Sequence, residues 1–358
     1  VVKRKSWTGF MLAPVIMFLV ILAPVTALAI EQTNFNELLN AAFDKNIDLE
    51  MARVQLESTR VDYQKNELYN LMENSRLLKL QGELQLAEAE QNFKDTKAGI
   101  TIELVGKYLE IIQINQEIKT LEKELQLEKN KLEAIEAQVE IGYKGNLELF
   151  EQQNTYQTVR DDLELKRDEL EQKISFLEGQ IGAPLGEEMI EIKLAYPELW
   201  EIEEEAALEK GLSNNIELDF KAREVELAKA DLEKARISGV PALDLNKMEL
   251  NLELAQLALT KTQEELKNKI QQQYFLYQQA VKGLEMASRN MLQARENTAI
   301  MEEQHKAGLV SKNDLLTAEV SLMKARNSYI TAIINYHTNK LRLQQTLGLE
   351  LEVEINEE

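Results

Sequence analysis

The segment INQEIKTLEKELQLEKNKLEAIEAQV, residues 114–139, carries apolar side chains at Ile114, Ile118, Leu121, Leu125, Leu132, Ile135 and Val139, with Glu128 as a polar member of the same series. The steps alternate between four residues and three. A mean step of 3.5 is the a/d seam of a coiled coil, whose left-handed supercoil keeps one apolar edge against a partner helix. Adding 166 to each position gives Ala280, Leu284, Ala287, Met291, Ala294, Thr298, Met301 and His305, inside AVKGLEMASRNMLQARENTAIMEEQH, residues 280–305. The stepping survives Glu128, Thr298 and His305, so one long helix occurs twice.

Working outward, each seam runs into a glycine turn, Gly142-Tyr143-Lys144-Gly145 in one half and Ala307-Gly308-Leu309-Val310-Ser311 in the other. Glycine suits the end of a helix because it adopts the left-handed conformation without penalty. The periodicity then resumes through Leu149, Tyr156, Val159, Leu163 and Leu170, and through Leu315, Leu322, Ala325, Tyr329 and Tyr336. Asn313 or Asp314 is expected to cap the second returning helix. The first ascending helix, expected over about Glu83 to Val139, would be about 85 Å long. Further markers repeat at offsets of 166–169: Asn46-Ile47-Asp48-Leu49 with Asn215-Ile216-Glu217-Leu218, and Ile181-Gly182 with Leu347-Gly348. The expected organisation is all-α: a first helical repeat over 30–182, a linker over 183–205, a second repeat over 206–348 and an acidic tail, a strand or a frayed end, over 349–358.

Composition agrees. Average usage at this length would give about 25 Gly and 18 Pro; the 358 residues hold 14 and 5. So few turn-formers cannot punctuate a β-sandwich or a propeller. A net charge of −21 opposes sequence-independent nucleic-acid binding, which relies on Lys and Arg at phosphates. With no cysteine there is no disulfide, thiol nucleophile or thiolate metal ligand. His305 and His337 are the two histidines and have no neighbouring ligand pattern, so no metal and no cofactor are expected. A Gly-rich phosphate loop and a nucleophile elbow are both missing, so the chain is not expected to be an enzyme.

The first 29 residues read as an export signal. Lys3, Arg4 and Lys5 precede an apolar run from Phe10 to Leu22, and Ala27-Leu28-Ala29 supplies a small-x-small cleavage site. The alternative is an uncleaved anchor, although the run falls short of the ~20 residues that span a bilayer. Either way the chain is expected in the cell envelope, in the periplasm or at the outer membrane.

Tandem helical repeats, an export signal and the turn Gly308-Leu309-Val310-Ser311-Lys312-Asn313-Asp314-Leu315-Leu316-Thr317-Ala318 resemble the TolC-type outer membrane efflux proteins, over about Phe35 to Leu349. The resemblance implies a homotrimer whose three copies make a twelve-helix tunnel. Its tip would dock on a periplasmic adaptor (membrane fusion) protein of an inner-membrane pump. In the family each repeat also contributes two strands to a membrane barrel. The first corresponding stretch, Tyr63 to Ala89, lacks an aromatic girdle and any long alternation; in the second, Ile237 to Leu259, Ser238 to Leu245 could begin a strand, but the alternation of Met248 to Ala255 runs into Ala-rich flanks that favour helix. The barrel is therefore expected to be absent or reduced to short loops, which leaves the mode of anchoring open.

The resemblance also places the candidate residues. Asp314 matches an aspartate that rings the tunnel mouth, where grouped carboxylates would attract cations; Thr317 stands where a second one often lies. As a plain alternative, Asp314 caps a helix. His305, Val310 and Glu148 occupy the positions of a Tyr, an Arg and their acidic partner in the closed state. A His305–Glu148 pair would respond near pH 6.5. The turn residues Gly142, Tyr143, Gly145, Gly308, Leu309, Val310 and Ser311 are candidates for adaptor contact, or for local packing between helix ends. The functional expectation is a passive export tunnel. The alternative is a barrel-less coiled-coil scaffold of the envelope without transport activity.

Overall fold

The computed structural model describes residues 35–191 and 194–353. The export signal and the last five residues of the acidic tail lie outside that range. Among the described residues there are nine helices: α1 (Phe35–Lys45), α2 (Ile47–Glu73), α3 (Arg76–Glu140), α4 (Asn146–Ile181), α5 (Glu187–Ile190), α6 (Glu204–Ser213), α7 (Ile216–Ser238), α8 (Ala242–Lys306) and α9 (Lys312–Thr346). Apart from α5 they form two equivalent sets of four. The expected all-α pair of long hairpins is the architecture of the chain.

The duplicated motifs are helix boundaries. Asn46 and Asn215 are N-caps whose side chains accept the backbone N–H groups of Leu49 (2.9 Å) and Leu218 (2.8 Å). Each cap is followed by acidic residues in the first turn, which complement the positive end of the helix. Gly182 and Gly348 close α4 and α9. There the partner helix reaches across within the same repeat: Lys45 Nζ donates to Gly182 O (3.1 Å) and Asn214 Nδ2 to Leu347 O (3.0 Å).

Helices α3 and α8 have 65 residues each, about 97 Å. The first therefore starts at Arg76, seven residues before the expected Glu83. The reason is local: Asn74 takes a left-handed conformation (φ 51°), and Ser75 caps the new helix at Leu78 N. In the second repeat Gly239 (φ 74°) and Pro241 make the equivalent break. These two turns stand where membrane strands were in question, so each break is two or three residues long.

The long helices lie side by side. In one half of the molecule the order is α4, α3, α9, α8; in the other, α7 takes the place of α9 and α2 that of α4. The smaller inter-repeat contact is α3 against α7, and the larger is α3 against α9, where Leu127 packs with Leu316 and Val320. Lys123–Glu319 (2.7 Å) and Lys324–Glu124 (2.9 Å) flank it. Glu128 is buried in the α3–α4 seam but satisfied: Gln152 donates to its carboxylate at 2.7 Å and to its backbone oxygen at 3.2 Å, and Lys131 Nζ lies 2.7 Å away. A single polar seam residue with a specific partner pins the register of two helices that apolar contacts alone would let slide.

Residues 183–191 and 194–203 run across the bundle as a belt. Tyr108 donates to Met189 O (3.1 Å), Asn115 to Ile190 O (3.0 Å), Tyr336 to Glu198 O (2.9 Å), Tyr277 to Trp200 O, and Tyr274 to Ile202 O (3.2 Å). Trp200 N donates back to Tyr336 Oη (2.9 Å). Burial pushes the Tyr277 phenol well above its ordinary range, so it stays a neutral donor. The described part of the tail is packed, not frayed: Leu349, Leu351 and Val353 lie against the core, and Glu352 N donates to Gln344 Oε1 (3.2 Å).

His337 is buried beside Lys340 in this core, and burial first, then the lysine charge, pushes it down to about 4. The folded state thus holds the neutral form while the unfolded chain protonates near 6.5, so stability falls as pH drops below 6.5. Between pH 7 and pH 5 the loss is about 2 kcal/mol. Urea titrations at the two pH values should show it in the wild type and not in His337→Gln.

Candidate functional site

The two ends of the α3–α4 and α8–α9 hairpins are built to one plan. Gly142 and Gly308 both have φ 73°, which permits paired closing bonds. In the first turn these run from Tyr143 N to Gln138 O (2.8 Å) and Gly142 N to Val139 O (2.9 Å). In the second they run from Leu309 N to Gln304 O and Gly308 N to His305 O, both 2.9 Å. The tight turn pushes the following residue outward: Tyr143 is 78% and Leu309 75% exposed. Ile141, Leu147 and Phe150 extend the apolar surface of the first tip, and these three were missed by sequence reasoning because they look like ordinary seam residues.

The returning helices start differently from expectation. Neither Asn313 nor Asp314 is the cap of α9; Ser311 is, and its hydroxyl accepts from Asp314 N (3.2 Å). Asp314 sits at the third helical position and its carboxylate accepts from Ser311 N (2.9 Å) and Ser311 Oγ (2.6 Å). The spacing Ser-x-x-Asp carries that capping-box signal in the sequence. These hydrogen bonds, the hydroxyl's first, hold the Asp314 carboxyl below the usual range. At the first tip only half of the box exists. Glu148 accepts from Gly145 N (3.0 Å), and Gly145 has no side chain to reciprocate. Asn313 faces the other repeat and accepts from Asn130 Nδ2 at 3.4 Å.

His305 and Glu148 are each committed to their own turn. His305 Nδ1 lies 3.0 Å from Val310 O. Since a carbonyl only accepts, Nδ1 carries the proton, and the ring staples the exposed turn back to α8. In a single chain the structure therefore brings together His305 with Val310 and Asp314 with Ser311, and leaves Glu148 at the neighbouring tip. Among the described residues no three His, Asp or Glu side chains converge as a metal site.

The layer also has two open lateral edges. Helix α4 exposes Leu165 and Phe176, and α8 exposes Phe275, Met286, Leu292 and Ile300. This arrangement of long helices matches solved structures over most of its length. The chain has the fold of bacterial outer membrane channels. The outer membrane protein VceC from Vibrio cholerae aligns with a TM-score of 0.59 at 14% identity, covering 88% of this chain and 96% of that one. The Campylobacter jejuni CmeC outer membrane channel gives 0.59 at 10% identity, covering 89% and 87%. The open state of the Neisseria gonorrhoeae MtrE outer membrane channel gives 0.52 at 14%, covering 88% and 89%. No family model and no curated protein sequence matches. At these identities the likeness is one of fold, and it agrees with the TolC-type resemblance read from the repeats.

The asymmetry of the caps is testable. Ser311→Ala removes a cap worth about 1 kcal/mol and should speed hydrogen exchange of the amides at 312–314 roughly fivefold. Gly145→Ser completes the first box and should slow exchange at 146–148, by a few tenths of a kcal/mol.

Proposed function

We propose that the chain is the tunnel component of an envelope export assembly, a passive conduit formed by three copies. The observation that carries this reading is the pair of open edges. A layer whose outer helices α4 and α8 each expose large apolar side chains among polar ones, Leu165 and Phe176 on one and Phe275, Met286, Leu292 and Ile300 on the other, buries them by joining edge to edge with a copy of itself. Such a heterologous contact either closes into a ring or runs on as a filament. The TolC-type resemblance supplies the closure at three, hence twelve helices around a bore. The exposed Tyr143 and Leu309 tips then form one rim, the side that would meet an adaptor protein and, through it, an inner-membrane pump. Envelope location follows from the same reading.

The ring would bring three Asp314 carboxylates to that rim. Their present ionisation favours this: each is kept charged by its own Ser311, before any effect of neighbours. Glu148, at the adjacent tip, would lie between the Asp314 residues. A second reading, a scaffold without a bore, is favoured by one observation only, the two-residue and three-residue turns that stand where membrane strands would emerge.

Replacing these acids by alanine would uncap two helices as well as discharge them. The cleaner pair is Asp314→Asn with Glu148→Gln, which keeps an oxygen acceptor at each cap. In vesicle or cell export assays the wild type should be blocked by multivalent cations, and the double variant should export at least as well with the block relieved. Unchanged block in the variant contradicts the acidic rim. Absence of export in both, with an intact fold, favours the scaffold.

A further inference from the structure

The opposite pole is formed by the α2–α3 turn at Asn74-Ser75 and the α7–α8 turn at Gly239–Pro241. Arg223 of α7 lies 3.5 Å from Glu83 near the start of α3, so the two turns face the same end. Their apolar side chains are bare: Met72 is 88%, Leu71 81%, Ile237 88% and Leu243 84% exposed. No other large apolar side chain among the described residues is as open as these four.

The acidic excess of the chain is lost at the same place: residues 66–81 and 232–249 hold five basic and five acidic side chains, with Glu67, Glu233 and Glu249 set back from the turns. Residues 68–79 and 234–247 hold five basic side chains, Arg76, Lys79, Lys234, Arg236 and Lys247, against Glu73 and Asp244. The chain as a whole has 41 basic against 62 acidic residues. The other pole shows no such excess: residues 138–150 and 303–315 carry Lys144, Lys306 and Lys312 against Glu140, Glu148, Glu303 and Asp314. Lys79 and Arg236 have carboxylate neighbours, Glu83 at 3.9 Å and Glu249 at 2.6 Å, while Arg76, Lys234 and Lys247 are exposed around the apolar tips. An apolar tip ringed by cations on an acidic protein fits a surface with an apolar interior and anionic phosphates.

We propose that this pole is a lipid-binding surface, in which the α2–α3 and α7–α8 turns seat Leu71, Met72, Ile237 and Leu243 at the headgroup–acyl boundary, with Arg76, Lys234 and Lys247 against lipid phosphates. It goes beyond the tunnel reading and does not depend on it, since a scaffold would dock in the same way.

The chain has no cysteine, so a single one can report its own depth. Full-length protein carrying Met72→Cys or Leu243→Cys, labelled with an environment-sensitive dye, is mixed with vesicles of phosphatidylcholine and phosphatidylglycerol. At both sites the emission should shift to the blue and be lost to acyl-chain-brominated lipid, more with shallow bromines than with deep ones. A label at Tyr143→Cys should do neither. Adding Arg76→Glu, Lys234→Glu and Lys247→Glu should reverse the shift at Met72→Cys and Leu243→Cys. The proposal is overturned by vesicle-bound protein with unquenched tips, which is attachment through residues 10–22 alone. Equal quenching at Tyr143→Cys overturns it too, as does a blue shift that appears without lipid and grows with protein concentration, which marks a second copy on the tips.

Discussion

A helix of 65 residues has no globular core in which to bury its apolar stripe. That constraint governs α3 and α8. Each can cover its seam only with other helices lying alongside, and burial is deepest at mid-length, where one cluster gathers most of the buried apolar side chains while the clusters further along the rods are small. Register then becomes the weak degree of freedom, because a heptad seam tolerates sliding by whole repeats. Two devices oppose it. Glu128 with Gln152 and Lys131 gives one seam a polar keyway, and the belt at residues 189–191 and 194–202 crosses the rods at mid-length and ties them by backbone carbonyls.

The belt explains why the buried aromatic residues cluster where they do. Tyr108 and Tyr274 are repeat equivalents, 166 residues apart, and each donates to a carbonyl of the same connecting segment. Tyr277 and Tyr336 add the contacts at Trp200 and Glu198, with ring centroids 5.9 Å apart. One connector thus serves both repeats, and the duplicated helices are made unequal by what is bound between them. The poles are left free for other work: glycine turns with acidic caps at one end, and cation-ringed apolar turns at the other.

Much of this was legible in the sequence. The 3.5-residue stepping from Ile114 to Val139, and its copy from Ala280 to His305, specified the hairpins, and Gly142 and Gly308 marked their ends, because periodicity and left-handed glycine are local physics. The lack of strands near Tyr63 to Ala89 and Ile237 to Leu259 was legible for the same reason. The start of α3 was not, since a left-handed Asn74 leaves no signature comparable to glycine. The belt was not legible either: a tyrosine that donates to a carbonyl 81 residues away looks, in sequence, like any seam aromatic. At the tips, Asp314 was read as a rim acid or the helix cap while Ser311, the cap itself, was overlooked, and His305 turned out to hold its own turn through Val310.

The account's central claim is that α4 and α8 are the two halves of one interface, closing copies of this layer into a hollow ring. The most direct measurement is the mass of the chain from Ile30 in detergent-free buffer by light scattering, with negative-stain projections down the long axis. The account predicts a mass of three protomers and ring-shaped end views with a stained centre. A monomer or dimer with solid rod-like views would contradict it.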